Sequence, residues 1–279
     1  MNIREFKNVV KTDKKAYRHL KQYCEKKGHL FCANCGRADP YHLASGRMRC
    51  RRCKSDFNLF SGRWLSNVRL PPAQWLWLVK LFVLEVSTNT AASELEISYP
   101  TALGAMDAIR EAIMDSSQVP KELEGEVEAD ESYFGGRRKG KRGRGAAGKV
   151  PVFGIIERKG RVWVQPVEDV SAETLLDATV RKVRRGSLVY TDKYKSYDSL
   201  MFYGYGHMKI NHSKHFVKDR VYINGIEGFW SYAKQRLMKF HGVDPHKFPL
   251  YLKEQEFRYS NRDKDIFKLV VKYLAKMKN

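Results

Sequence analysis

Between Leu70 and Met114 the apolar positions recur at helical spacing. Pro71-Pro72 opens a segment that places Trp75, Leu78, Val79, Phe82 and Val86 on one face. Ser87 suits the cap of a short helix reaching Leu95; a turn follows at Glu96–Tyr99, and Pro100 starts a longer helix through Met114. Two helices joined by a short turn match a helix-turn-helix. The second carries Arg110 as its only basic residue, so a packing bundle reads nearly as well as a base-reading module. Upstream, Phe6, Val9, Val10, Ala16, Leu20 and Tyr23 are spaced for one face of a basic helix over residues 1–22.

After Val119-Pro120 the period changes from helix to strand. Val127 to Asp130 alternates as a half-buried strand does. Val150–Glu157 and Arg161–Glu168 read as a hairpin around Arg158-Lys159-Gly160. Ser171 caps a helix bearing Leu175, Leu176, Thr179, Val180 and Val183, and Gly186 is placed to end it. Ser187 to Thr191 is a buried strand that ends at Asp192, and two helices follow, from about Gly225 to Phe240 and from Leu250 to Tyr259. The order strand, strand, strand, helix, strand, helices is that of an RNase H-like α/β domain with a mixed sheet.

Charge narrows the partners. The 279 residues carry 52 Lys and Arg against 31 Asp and Glu, a net charge of +21 with a pI near 9.7. Such a field favours phosphate polyanions, although RNA-binding proteins share it. The first 25 residues are charged throughout, and the most apolar run, Trp75 to Val86, spans 12 residues with Lys80 and Glu85 inside it. That is too short for a bilayer, so the expectation is a cytoplasmic protein with no membrane partner.

In that compartment thiols stay reduced and clustered cysteines point to metal. Cys32-Ala-Asn-Cys35 and Cys50-Arg-Arg-Cys53, with 14 residues between them (36 to 49), match a zinc ribbon in which four thiolates surround structural zinc. Cys24 reads as an ordinary semi-buried thiol. His29 and His42 lie close by, but four sulfurs already fill the shell. The ribbon is basic through Arg37, Arg47, Arg49, Arg51, Arg52 and Lys54, which suits either DNA contact or a solvated face. The expected organisation is a basic helix over 1–22, a zinc ribbon over 23–60, a helical, possibly helix-turn-helix, segment over 61–118, the RNase H-like domain over 119–262 and a basic amphipathic helix over 263–279.

The stretch from Gly125 to Lys149 concentrates the chemistry. A short acidic strand ends in Glu128, Asp130 and Glu131. A loop with seven basic residues and six glycines between Gly135 and Lys149 follows. Its Arg137, Arg138, Lys139, Lys141, Arg142, Arg144 and Lys149 read as a clamp on a phosphate backbone. Gly143 to Gly148 also matches G-x-G-x-x-G, and Gly143 to Lys149 most of a P-loop. Both motifs need a strand before and a helix after, whereas here a strand begins at Val150, which also replaces the Ser or Thr that would hold magnesium.

Phosphodiester cleavage without a covalent intermediate needs an activated water and a stabilised leaving oxygen. Two divalent ions roughly 4 Å apart, held by carboxylates, supply both. Asp130 ends the first strand, Asp192 ends the fourth, and Glu227 lies on a helix 35 positions later (227 minus 192). Lys234 follows Glu227 by seven residues, two helical turns, and shares its face. Strand alternation puts Glu128 on the face of Asp130 as a possible helper and Glu131 on the other. His207, His212 and His215 read singly as packing or phosphate-contacting residues.

The runs EADESYFGG, GKVPVFGIIER, VYTDKYKSYD, INHSKHF and NGIEGFWSYAK resemble the DDE transposases of bacterial insertion sequences, and within them the zinc-ribbon-bearing IS fifteen-ninety-five family. The resemblance covers the ribbon and nearly all of residues 120–262. It implies Asp130, Asp192 and Glu227 as a catalytic triad holding two Mg²⁺ or Mn²⁺ ions, with Lys234 as the downstream basic residue. It also implies cleavage at the element's terminal inverted repeats, strand transfer into target DNA, and a homodimer or higher synaptic assembly, bacterial and nucleoid-associated when bound. Some members carry Asn or His at the third position; here it is Glu. Two other readings stand beside this one: an RNase H-fold nuclease or resolvase without mobility, and a non-catalytic zinc-ribbon DNA-binding protein.

Overall fold

The computed structural model describes residues 1–26, 28–117, 122–135, 149–158, 160–192, 200–209, 223–240 and 242–278. The chain divides into two compact units, one of residues 1–118 with 263–279 and the other of residues 119–262.

The first unit begins with two helices, α1 (Ile3–Val9) and α2 (Asp13–Cys24), where the apolar spacing suggested one. The break has a local cause. Thr12 is extended and its side chain accepts from the Lys15 amide, so a new helix is capped where the old one would have continued. Short strands β1 (Tyr41–His42), β2 (Met48–Arg49) and β3 (Asp56–Phe57) form an antiparallel sheet in that order. Helix α3 (Pro72–Val83) buries Trp75, Leu76, Leu78, Val79 and Phe82. Ser87 caps α4 (Thr88–Glu94), and α5 (Tyr99–Ser117) starts one residue before Pro100 and runs three beyond Met114. Arg110 of α5 is 2% exposed, paired with Asp107 and set over the Phe82 ring, so it serves packing and not an outer surface.

The second unit is built on a five-stranded mixed sheet. Strands β4 (Glu126–Phe134), β5 (Val150–Glu157) and β6 (Val162–Pro166) form an antiparallel meander. Helix α6 (Ala172–Lys182) then leads to β7 (Leu188–Thr191), which lies parallel to β4, and β8 (Gly206–Lys209) adds parallel to β7. The spatial order is β6-β5-β4-β7-β8, with the first strand of the unit at the centre. Strand β8 was not legible in the residue pattern, and Gly186 does not end α6. That helix stops at Lys182 with Val183 extended, and Gly186 makes the left-handed turn into β7.

Helices cover both faces of the sheet. On one, Val127, Ala129, Phe153, Ile155 and Val189 pack with Leu175 and Ala178 of α6. On the other, Phe134, Val152, Ile156, Val164 and Tyr190 pack with Ile226, Phe229, Trp230 and Ala233 of α7 (Asn224–Met238) and with Phe248 and Leu252 of α8 (Phe248–Ser260). The last helix, α9 (Ile266–Leu274), belongs to the first unit, where Phe267 meets the Phe6 ring edge-on at 5.6 Å. Among the described residues no helix is long and apolar enough to cross a membrane.

Candidate active site and metal centre

The four ribbon cysteines converge. All four Sγ atoms lie within 4.8 Å of one another, with Cys32–Cys53 at 3.6 Å and Cys35–Cys50 at 3.5 Å. A disulfide would bring sulfurs to about 2.05 Å. A zinc tetrahedron with bonds of about 2.3 Å has sulfur–sulfur edges of about 3.8 Å, and the observed spacing fits it. Backbone amides of Asn34 and Arg52 point at the sulfurs of Cys32 and Cys50 at 3.4 and 3.3 Å, as thiolates in a knuckle require. Cys24 stands apart, buried, with its thiol pushed up to about 11 chiefly by burial.

The carboxylates of the second unit are placed by the sheet. Residues 128 and 130 of β4 face α7, because the intervening Val127 and Ala129 pack towards α6. Strands β4 and β7 pair in parallel with Glu126 opposite Leu188 and Glu128 opposite Tyr190. Two residues beyond the last pair of that register, Glu128 and Tyr190, lie Asp130 and Asp192 respectively. Their charges interact: the Asp130 carboxyl is raised to about 7, first by burial, then by Glu131 and also by Asp192. Hydrogen bonds from the Glu131 backbone and the Trp230 indole oppose the rise. Two crowded carboxylates, one of them reluctant to ionise, suit a hard divalent cation, which would relieve the repulsion.

Glu227 lies exposed in the first turn of α7. Its helix is fastened to the acidic strand on either side of it. The Ile226 amide donates to Oε2 of Glu128 at 3.1 Å, and Trp230 Nε1 donates to Oδ2 of Asp130 at 3.0 Å. The three carboxylates are not drawn into a ligand cluster: among the described residues, the cysteines are the one group of three or more candidate ligands whose atoms all lie within 4.8 Å of one another. Lys234 sits one turn beyond Trp230, its Nζ 5.6 Å from the Phe134 ring centroid. Its pKa is lowered, first by desolvation; the Asp130 charge pulls it back up and Lys149 lowers it further. Asp130, Lys149 and Lys234 are therefore electrostatic neighbours. His207 shares a hydrogen bond of 2.9 Å with Thr191 beside Asp192. Arg137, Arg138, Lys139, Lys141, Arg142 and Arg144, with His212 and His215, lie outside the described residues.

Residues 122–260 match the family described as the ISXO2-like transposase domain. A Haemophilus influenzae protein described as an uncharacterized transposase-like protein is 45% identical over 105 residues, 38% of this chain and 85% of its own length. The chain belongs to the ISXO2-like transposases. Two solved structures are also similar. The Mos1 strand transfer complex has a TM-score of 0.28 at 11% identity, covering 72% of this chain and 77% of that one. The Mos1 transposase paired-end complex with left transposon end has a TM-score of 0.25 at 11% identity, covering 70% and 77%. Likeness at that level carries no argument about this transposase.

Two residues beside the acidic strand escaped sequence reasoning. Trp230 packs in the core between α7 and the sheet, and packing is half of its role. Its ring lies on Gly154, the cross-strand partner of Asp130, where an added Cβ would sit 2.6 Å from the indole Cη2. Gly225 is the other. A Cβ there would meet Glu128 Oε2 at 2.8 Å. The signal was present as a glycine in the middle of an apolar strand and a glycine opening a helix, the two places where a close approach demands the smallest residue.

Proposed function

We propose that this chain is an insertion-sequence transposase that cuts DNA at the ends of its element and joins the freed strand to target DNA. The observation that carries the reading is the register of β4 and β7. Continued two residues past the Glu128–Tyr190 pair, it would bring Asp192 alongside Asp130, whose sheet face is covered by the helix bearing Glu227. Asp130, Asp192 and Glu227 are the residues that would hold two Mg²⁺ or Mn²⁺ ions, and the ions would activate water and stabilise the departing 3′-oxygen.

The protein's own groups do the rest. Burial holds the Asp130 carboxyl near 7, and a cation bound beside it would favour loss of its proton at neutral pH. Trp230 keeps one oxygen of that carboxylate oriented. Lys234 and Lys149 place positive charge beside the acids, where a scissile phosphate enters. The Arg and Lys of residues 137–144, outside the described residues, read from the sequence as a clamp on the phosphate backbone. The ribbon cysteines hold structural zinc, and the ribbon with the helical segment recognises the element's ends. Paired cutting of two ends calls for a dimer or higher assembly on DNA.

The test is a joining assay. Purified protein, Mg²⁺ or Mn²⁺, labelled DNA from either side of its gene and a plasmid target are incubated, with Asp192→Asn alongside. Metal-dependent nicking at a fixed position followed by joining, absent in the variant, supports a transposase. Nicking without joining favours a plain nuclease, and equal DNA binding with neither activity favours a non-catalytic binding protein.

A further inference from the structure

Helix α7 begins without a cap of its own. Its first-turn flank, Ile223, offers no side-chain hydrogen bond, and the residues that follow are Asn224, Gly225 and Ile226. The leading amides of a helix need acceptors when the end is buried. Here they come from another element: Oε2 of Glu128 accepts from the Ile226 amide at 3.1 Å, and the Gly225 backbone also bonds to that carboxylate. The sequence separation is 98 residues, so this is a tertiary cap. Gly225 leaves room for it, since any Cβ there would press on the same oxygen at 2.8 Å.

Glu128 is itself held. It is 1% exposed, and its other oxygen, Oε1, receives Arg158 Nε at 3.3 Å. Arg158 is fixed in turn by Glu126 at 2.7 Å and by stacking 3.7 Å over the Tyr190 ring. Both oxygens of Glu128 are therefore engaged by protein groups. The residue immediately after Ile226 is Glu227.

We propose that Glu128 is a positioning residue: it caps α7 from the sheet and thereby fixes where Glu227 stands relative to Asp130 and Asp192. The inference rests on the metal-binding role given to those three acids above. It assigns the buried acid beside Asp130 a place in the site without making it a ligand, and it makes the step from Glu128 to Arg158 part of the site's support.

Metal affinity tests this without turnover. Mn²⁺ is titrated into the zinc-loaded full chain, and free Mn²⁺ is read by electron paramagnetic resonance. Glu128→Ala weakens binding at least about tenfold, the scale set by groups that orient ligands. Glu128→Gln, which keeps an acceptor for the Ile226 amide, restores most of it. In a Glu227→Gln background Glu128→Ala adds no further loss, because Glu128 acts through Glu227. Equal affinity of Glu128→Ala and wild type overturns the proposal. So does a loss of equal size in both backgrounds, or a Gln variant as weak as Ala, since these mark a direct ligand. If instead Asp130→Asn and Glu227→Gln bind Mn²⁺ as wild type does, the triad reading itself has failed, whatever Glu128 does.

Discussion

The indole N–H of Trp230 donates to a carboxylate oxygen of Asp130 at 3.0 Å, across 100 residues of chain. The same ring covers Gly154, the strand partner of Asp130. One side chain thus closes the core between α7 and the sheet and orients an acid at its rim. Trp230→Phe keeps most of the packing and loses the donor. We expect the metal-free fold to lose about 1–2 kcal/mol and the Mg²⁺ requirement for DNA cleavage to rise several-fold. Chemical denaturation and a metal titration of nicking check the two halves separately.

Gly154→Ala attacks the same contact from the other side. The new methyl lies 2.6 Å from a rigid ring and 3.0 Å from Val164 Cγ1, so the helix or the strand must move. The expected loss is about 1–3 kcal/mol. Gly228→Ala is the control, because a Cβ at Gly228 meets nothing within 4 Å inside the same helix. It should gain roughly 0.5–1 kcal/mol. Thermal melts that moved in the same direction for both would contradict this packing.

The ionisation of Asp130 predicts a pH dependence. In the metal-free fold its carboxyl is raised from 3.8 to about 7. Between those values the folded state keeps a proton that the unfolded chain has lost. The contribution of this group to stability is therefore greatest below pH 4, falls as pH rises towards 7 and levels off above it, by a few kcal/mol at most. Carboxylates with lowered pKa, such as Glu157 and Asp265, set the opposite trend against it. Asp130→Asn should remove that slope and be more stable than wild type at pH 7.5 in chelator. Saturating Mg²⁺ should reverse the slope for wild type alone. Urea unfolding at several pH values, with and without metal, reads all three.

These relationships also mark what the sequence could reveal. Ser87 and Ser171 announced their helices because a cap is a local device. Asp130 and Asp192 stood out as acids at the ends of strands, and Glu227 as an acid on the helix that follows. Strand β8 did not. Among the described residues it is an edge strand whose Gly206, Met208 and Lys209 are exposed, so no buried alternation marks it, and it is held by backbone pairing to β7. Thr12 ended one helix and opened the next inside a stretch whose apolar spacing continued unbroken. The cap of α7 by Glu128 and the seat of Trp230 on Gly154 were illegible for a different reason. Each joins segments tens of residues apart, and only the register of the sheet brings them together.

In the first unit Arg63 is a comparable hub. It is 5% exposed, and its guanidinium donates to the carbonyls of Leu59, Ala275 and Cys24 at 2.9, 2.7 and 3.0 Å. Arg63→Met leaves three carbonyls without a donor and should cost about 3–5 kcal/mol. Limited proteolysis should then cut the N-terminal unit faster while the catalytic unit persists.

The zinc assignment separates five cysteines into four and one. Cys35→Ser should lower bound zinc from one equivalent to well below one and release the ribbon's short strands, since the metal supplies their folding energy. Cys24→Ala should keep the full equivalent. Metal content after gel filtration decides between them.

The claim that Asp130, Asp192 and Glu227 form one metal site can be tested without knowing the element's ends. Fe²⁺ replaces Mg²⁺, peroxide is added, and the polypeptide is mapped for cuts made by hydroxyl radical at the bound ion. The account predicts cuts clustered near residues 130, 192 and 227, suppressed together by excess Mg²⁺ and lost together in Asp192→Asn. Cuts near 130 and 192 with none near 227, or a pattern that Asp192→Asn leaves unchanged, would contradict it.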